Sequence, residues 1–187
     1  KAQGDIGISG ATSSTFSPPT DIVGSASYYC VVSYTGTCAT VPSITSSSSG
    51  LITVHGTPSA TISGPSTVCE GAPASLTFTG SNGTPPYQFQ YTVYQVGSII
   101  PPGLETVTTT SGNSITVPIS SSVVGGTQYQ LIGVSSGVGS ATVCEGTAEG
   151  SVTVTVNAGS TFYTDADGDT YGNLAAPVTS CDGTGLP

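Results

Sequence analysis

The sequence has 187 residues, of which one is Lys or Arg, ten are Asp or Glu and one is His, so its formal net charge is -9 at pH 7. This length allows one or two small domains. Nucleic-acid binding is excluded because phosphate affinity depends on Lys and Arg, and a catalytic triad or a zinc site built on His would have a single imidazole to draw on. The composition therefore argues against an enzyme and favours a structural or binding role.

Residues 1–56 repeat the pattern of residues 101–156 at a constant offset, without gaps. The matched pairs include Ser14 with Ser114, Pro18 with Pro118, Val23 with Val123, Tyr29 with Tyr129 and Val54 with Val154. The alternative is a chance alignment of two stretches rich in Ser, Thr and Val. We interpret the repeat as one complete domain at 57–157, preceded at 1–56 by the second half of a similar domain.

Apolar and polar residues alternate along the second domain, which predicts β-strands. The alternating segments are 74–79, 87–93, 115–117, 128–131 and 151–156. Turn residues separate them, and about seven short strands over about 100 residues are typical of an Ig-like β-sandwich. The predicted fold class is therefore all-β, with tandem Ig-like β-sandwiches of which the first is incomplete.

The half domain at 1–56 would hold three strands, the last three of a sandwich, and such a half cannot bury its own inner face. We expect that the chain continues on the N-terminal side of this half, or that a neighbouring copy supplies the missing strands by β-augmentation. Lys1 is not followed by an apolar signal sequence, so we also expect a segment of a longer protein. No apolar run is long enough to span a membrane.

Five cysteines in a chain without Met or Trp suggest an oxidised, exported protein. Cys69 and Cys144 both occur in the string VCEG and are the first choice for a disulfide, although the two turns that would carry them lie at opposite ends of a simple sandwich. Cys30 follows two tyrosines and would pair either with a cysteine upstream of residue 1 or with Cys38. For Cys181 we expect a partner beyond Pro187.

The sharpest chemical signal is the acidic stretch DADGDTYGN at 165–173. Three carboxylates at alternate positions can converge on one hard cation where glycines allow the backbone to turn. Oxygen donors without His or Cys select Ca²⁺, so residues 158–187 are predicted to form an irregular calcium-binding segment. The candidate ligands are Asp165, Asp167, Asp169, Tyr171 and Asn173. The alternative is a solvated acidic turn without metal.

Several strings resemble a known family of repeats. The segments 60–64 (ATISG), 68–71 (VCEG), 85–87 (PPY) and 150–154 (GSVTV) resemble the Ig-like/PKD-like repeats of very large secreted surface proteins of Bacteroidota. The stretch 162–169 (FYTDADGD) is similar to the thrombospondin type 3-like calcium repeat that often follows them, so 158–187 would be the start of such a repeat. The resemblance implies export to the cell surface by the type IX route and roles in surface adhesion, gliding or fibre formation.

These observations predict a non-enzymatic segment of an extracellular multi-domain stalk or filament, made rigid by disulfides and Ca²⁺. Its expected partners are neighbouring domains of the same long chain, further copies of itself, or surface glycans. The alternative function is a carbohydrate-binding accessory module of a secreted hydrolase. Exposed tyrosines on a flat face, such as Tyr91, Tyr94 or Tyr171, would favour that alternative.

Overall fold

The computed structural model describes residues 5–33, 43–98, 103–163, 165, 172, 174 and 177–181. All the regular structure in these ranges is β, which confirms the predicted class. None of it is a helix that could cross a membrane. The chain divides into two compact units, Lys1–His55 and Gly56–Pro187.

Unit 1 contains short strands that form two separate antiparallel pairs. The strands are β1 (Gly24–Ala26), β2 (Val31–Ser33), β3 (Ser43–Thr45) and β4 (Ile52–Val54). β1 pairs with β4, and β2 pairs with β3. In the described part of this unit every side chain is exposed or half-buried, so these strands have no core of their own.

Residues 5–23 form no strand, although the expected half domain would begin with a strand near residues 14–19. The corresponding segment of unit 2 is a strand, Ser114–Ile119, which takes its hydrogen bonds from the strand at Ala74–Ser81. Residues 5–55 contain no described counterpart of that partner strand. An isolated strand has no ladder to join, so the segment stays irregular.

Unit 2 holds the remaining strands. They are β5 (Ser59–Ser63), β6 (Thr67–Cys69), β7 (Ala74–Ser81), β8 (Tyr87–Gln95), β9 (Gly103–Thr108), β10 (Ser114–Ile119), β11 (Gly125–Ser136), β12 (Cys144–Ala148), β13 (Ser151–Asn157), β14 (Ser160–Tyr163) and β15 (Pro177–Ser180). β10, β7 and β5 form one layer, and β9, β8, β11, β13 and β6 form the other. β12 pairs with both β5 and β11 and so joins the two layers.

Alternation along the strands directs one apolar face of each layer into a common core. Leu76 and Phe78 of β7 are fully buried, as is Phe89 of β8. The rings of Phe78 and Phe89 stack with centroids 5.6 Å apart, and Phe78 also contacts Tyr91 at 4.8 Å. These contacts join strands of different layers, so the two layers pack face to face around aromatic rings.

The buried Tyr87 is held at its backbone and at its hydroxyl. Its backbone N–H donates to Thr109 Oγ1 at 2.9 Å, and its hydroxyl accepts from the backbone N–H of Gly83 at 3.0 Å. A side chain at Gly80 would collide with the Tyr87 ring. Glycine is therefore needed at position 80 for the ring to lie flat against β7, and the polar groups that Tyr87 brings into the core are satisfied.

Replacing Phe78 by Ala is expected to lower the free energy of unfolding of unit 2 by about 3–5 kcal/mol, because it removes the ring that both layers contact. Thr79→Ala, one residue along on the exposed face, is the matched control and should cost about 0.5 kcal/mol or less. Urea denaturation of the whole chain, followed by circular dichroism, measures both. Similar costs for the two variants would contradict this assignment of the faces.

Candidate functional site: the acidic loop, the disulfide and the exposed faces

The acidic loop is closed by an antiparallel pair of strands. β14 and β15 are in register from Ser160 opposite Ser180 to Tyr163 opposite Pro177. The connection between them, residues 164–176, contains all the predicted calcium ligands. Paired strands hold the two ends of the connection about 5 Å apart, so the predicted ligands all lie between the two strands of one hairpin.

Within the loop the structure describes Asp165, Gly172 and Leu174. Asp165 is half-buried, and Gly172 lies so close to Tyr163 that a Cβ atom there would collide with the Tyr163 backbone. Gly172 therefore lies against the end of β14. The other predicted ligands, Asp167, Asp169, Tyr171 and Asn173, lie outside the described residues, and the described residues contain no cluster of metal-ligating side chains.

The donor chemistry of this loop fits a hard cation. Its side chains offer carboxylate, hydroxyl and amide oxygens and no imidazole or thiolate. Three acidic side chains at alternate positions repel one another, and Lys1 is the only basic residue in the sequence that could offset them. Asp165, Asp167 and Asp169 would hold a Ca²⁺ ion, with its charge offsetting theirs.

The predicted disulfide between Cys69 and Cys144 is wrong. Cys69 is bonded to Cys181, with Cα atoms 5.5 Å apart, and Cys144 is a half-buried free thiol. Cys144 pairs with the last residue of β11, whereas Cys69 is paired with Asn157 beyond the other end of β11. At about 3.3 Å per residue, the length of β11 separates the two positions by more than about 30 Å.

The expectation that Cys181 would pair beyond Pro187 is also wrong. Cys181 directly follows β15, so its bond to Cys69 at the end of β6 attaches the hairpin to the sandwich. The hairpin is then held at both ends, because only residues 158–159 separate β13 from β14. Cys30 is an exposed free thiol, and its predicted alternative partner Cys38 lies outside the described residues.

The outer faces of the two layers differ in chemistry. On the layer of β5, β7 and β10, hydroxyls bond to one another across strands, as in Thr79 with Ser114 at 3.0 Å and Ser59 with Ser81 at 2.8 Å. On the layer of β8 and β11 the outward residues include four glutamines. They are Gln88, Gln90, Gln128 and Gln130. The sequence alternation had directed these amides outward without assigning them a role.

The tyrosines proposed as a sugar platform do not share one environment. Tyr91 is 8% exposed and belongs to the core, so it is wrong as a surface ligand. Burial, together with the nearby Glu105 carboxylate, raises the pKa of Tyr91 above its usual value, which keeps the phenol neutral. Tyr94 is half-buried on the outer face, and Tyr171 lies outside the described residues.

Unit 1 has an open, concave apolar surface. The depression has a volume of ≈ 330 Å³. It is lined by Pro19, Ile22, Val23, Gly24, Ser25, Ala26, Tyr28, Ile52 and Val54. Ile22 is 71% exposed and Val23 is 65% exposed, so this surface has the composition of a core without the layer that would cover it.

In comparisons with known proteins, no protein-family model and no curated protein matches the chain.

Cys181→Ser is expected to lower the free energy of unfolding of the oxidised protein by about 2–5 kcal/mol, because the bond spans 112 residues and a closed loop of that length restricts the unfolded chain strongly. Cys144→Ser is the matched control and should change stability by about 1 kcal/mol or less. Mass spectrometry of a non-reduced digest should find the Cys69 and Cys181 peptides joined. A peptide joining Cys69 to Cys144 would overturn the pairing.

Proposed function

We propose that the chain is a structural and adhesive segment of an extracellular multi-domain surface protein or filament, built from tandem Ig-like sandwiches and made rigid by a disulfide and by Ca²⁺. The observation that carries the proposal is a difference in burial between repeated positions. Tyr129 and Leu131 are 7% and 2% exposed in unit 2, whereas their counterparts Tyr29 and Val31 are 37% and 47% exposed in unit 1. Side chains of the same pattern are therefore buried in unit 2 and exposed in unit 1.

The order of strand pairing supports the same conclusion. In unit 2, β11 pairs with β13 along its first half and with β12 near its end. In unit 1, β1 pairs with β4 and β2 pairs with β3, in the same sequence order. β1 and β2 thus correspond to the two halves of β11. Unit 1 therefore resembles the β11–β13 portion of a sandwich that lacks its other strands.

An apolar half-sandwich is stable only when another layer covers it. In a tandem array each half is covered by the strands of its own repeat, and the array gains length with each domain. The low content of charged side chains, 6% of the sequence, leaves apolar burial and cross-links to hold each domain. This favours a mechanical role over a catalytic one.

The segment after β13 is proposed as a stiff linker. The Cys69–Cys181 bond fixes its far end to the sandwich, and β14 and β15 close the acidic loop between. Ca²⁺ bound by the loop carboxylates would remove their mutual repulsion and order the connection. The disulfide and the ion would thus restrict the same segment by different means.

Completing unit 1 with its own repeat tests the tandem arrangement. Residues 57–100 fused directly before Lys1 would supply counterparts of β5–β8 at the register set by the repeat. We expect hydrogen exchange around Tyr29 and Val31 to slow at least about tenfold, since covered strands exchange only through opening. Exchange is measured by mass spectrometry on the full fused chain.

The matched control carries Leu76→Ser and Phe78→Ser in the fused copy only, because a polar copy cannot form the apolar contacts. It should leave exchange in unit 1 as fast as in the original chain. If the unaltered fusion also left Tyr29 and Val31 unprotected, the proposal that unit 1 is half of such a domain would fail.

Ca²⁺ is expected to protect residues 164–176 from proteolysis, because an ordered loop does not fit a protease cleft. With chymotrypsin, which can cut after Tyr171, cleavage in Ca²⁺ should be at least about tenfold slower than in EDTA. The double variant Asp167→Asn, Asp169→Asn should lose this protection. Asp21→Asn, an acidic residue of unit 1, is the control and should keep it. Equal cleavage rates with and without Ca²⁺ would count against a structural metal.

A further inference from the structure

The outer face of β8 and β11 presents an amide-rich surface that the proposed scaffold role does not use. We define it as the glutamine face, formed by Gln88, Gln90, Thr92, Tyr94, Gln128 and Gln130. The pairing of β8 with β11 places Tyr94 opposite Gln128 and Thr92 opposite Gln130. These side chains therefore form a continuous patch across neighbouring strands.

The amides on this face are available to a ligand. Gln90 and Gln130 are exposed, and their side-chain amides make no hydrogen bond to the described part of the chain. Gln88 and Gln128 make only long contacts, to Thr108 Oγ1 at 3.4 Å and to Ser151 Oγ at 3.5 Å. By contrast, several hydroxyls on the opposite outer face are bonded to one another.

A glycine and a β-bulge lie in the middle of the face. Gly133 pairs with Gln90 and has no side chain, and the pairing register shifts between Leu131 and Gly133. Ile132, in this bulge, is 46% exposed. A Cβ at Gly133 would stand 3.2 Å from Gln90 Oε1, so the Gln90 amide lies over the glycine. The middle of the face thus presents an amide and an aliphatic side chain.

Charge limits what this face can bind. The six side chains that define it are uncharged, and Glu145, opposite Ser135, is exposed beside its Gln88 end. The chain as a whole carries a net charge of -9 with one basic residue. An anionic ligand would be repelled without a compensating Lys or Arg, so a ligand of this face is not an anion.

The chemistry of the face matches a sugar chain better than a protein. Each amide offers a donor and an acceptor side by side, which suits the paired hydroxyls of a sugar, and a tyrosine ring can pack on a sugar face. Neighbouring strands are about 4.8 Å apart, close to the sugar-to-sugar repeat of an extended glycan. A protein partner would need apolar anchors that become buried, and on or beside this face the described large exposed apolar side chains are Val96, Leu104 and Ile132.

We propose that the glutamine face binds an extended, neutral polysaccharide that lies across the strands, with Tyr94 and the amides of Gln90, Gln128 and Gln130 as its contacts. This gives the adhesive part of the proposed function a ligand class and rests on that function. The binding test measures a property of unit 2 alone, whereas the fusion experiment measures hydrogen exchange in unit 1. Either proposal can therefore fail without the other.

Native affinity electrophoresis of the full chain tests this binding. Gels contain neutral β-glucan, neutral xylan or anionic alginate, and we expect a neutral polysaccharide to slow migration while alginate does not. Tyr94→Ala and Gln130→Ala should each raise the dissociation constant at least about tenfold. Gln130 is exposed, so its variant keeps the test valid if Tyr94→Ala disturbs folding. Thr61→Ala on the opposite outer face is the matched control and should bind like the original chain.

Three results would overturn the proposal. One is unchanged migration of the original chain in both neutral polysaccharides. Another is retardation that Gln130→Ala leaves intact, or that alginate produces equally. The third is self-association seen by sedimentation velocity and abolished by Gln130→Ala, which would assign the glutamine face to a second copy of the chain.

Discussion

Burial of one face of each strand is the constraint on which the rest of the structure depends. The chain has almost no ion pairs to use, since it contains one basic residue. Its core contacts therefore come from Leu76, Phe78 and the aromatic residues of β8, packed between two layers. The outer faces follow from the same alternation, because successive side chains of a strand point to opposite faces. The core pattern thus also determines where hydroxyls and amides face the solvent.

Unit 1 shows what happens when this constraint is not met within the unit. Its strands are short, three residues each, and form two pairs that do not extend into a larger sheet within the described residues. The segment near residues 14–19 carries the pattern of β10 but lacks a partner strand. Strand formation at this pattern therefore depends on the neighbouring strand and on the covering layer, and local propensity does not suffice.

The sequence allows the strand faces to be predicted because their period is local. The alternation puts Leu76, Phe78 and Phe89 on the apolar faces of their strands, and the structure places all three in the core. The disulfide could not be predicted in this way, because pairing of Cys69 with Cys181 depends on where β15 returns relative to β6. The shared string VCEG around Cys69 and Cys144 is a feature of sequence, whereas the length of β11 keeps those two cysteines apart. The acidic residues and their spacing predict which oxygen donors are available to a cation. They do not predict how these donors are arranged around it.

The arrangement after β13 places a disulfide and the proposed metal-binding loop in one short segment. β14 and β15 close the acidic loop, and Cys181 at the end of β15 ties this hairpin to β6. A loop held at both ends loses less conformational entropy when it orders around an ion than a loop held at one end. Reduction of the disulfide would therefore weaken Ca²⁺ binding without removing any of the proposed ligands. The oxidising environment that forms such a bond is found outside the cell, and this agrees with the proposed extracellular role.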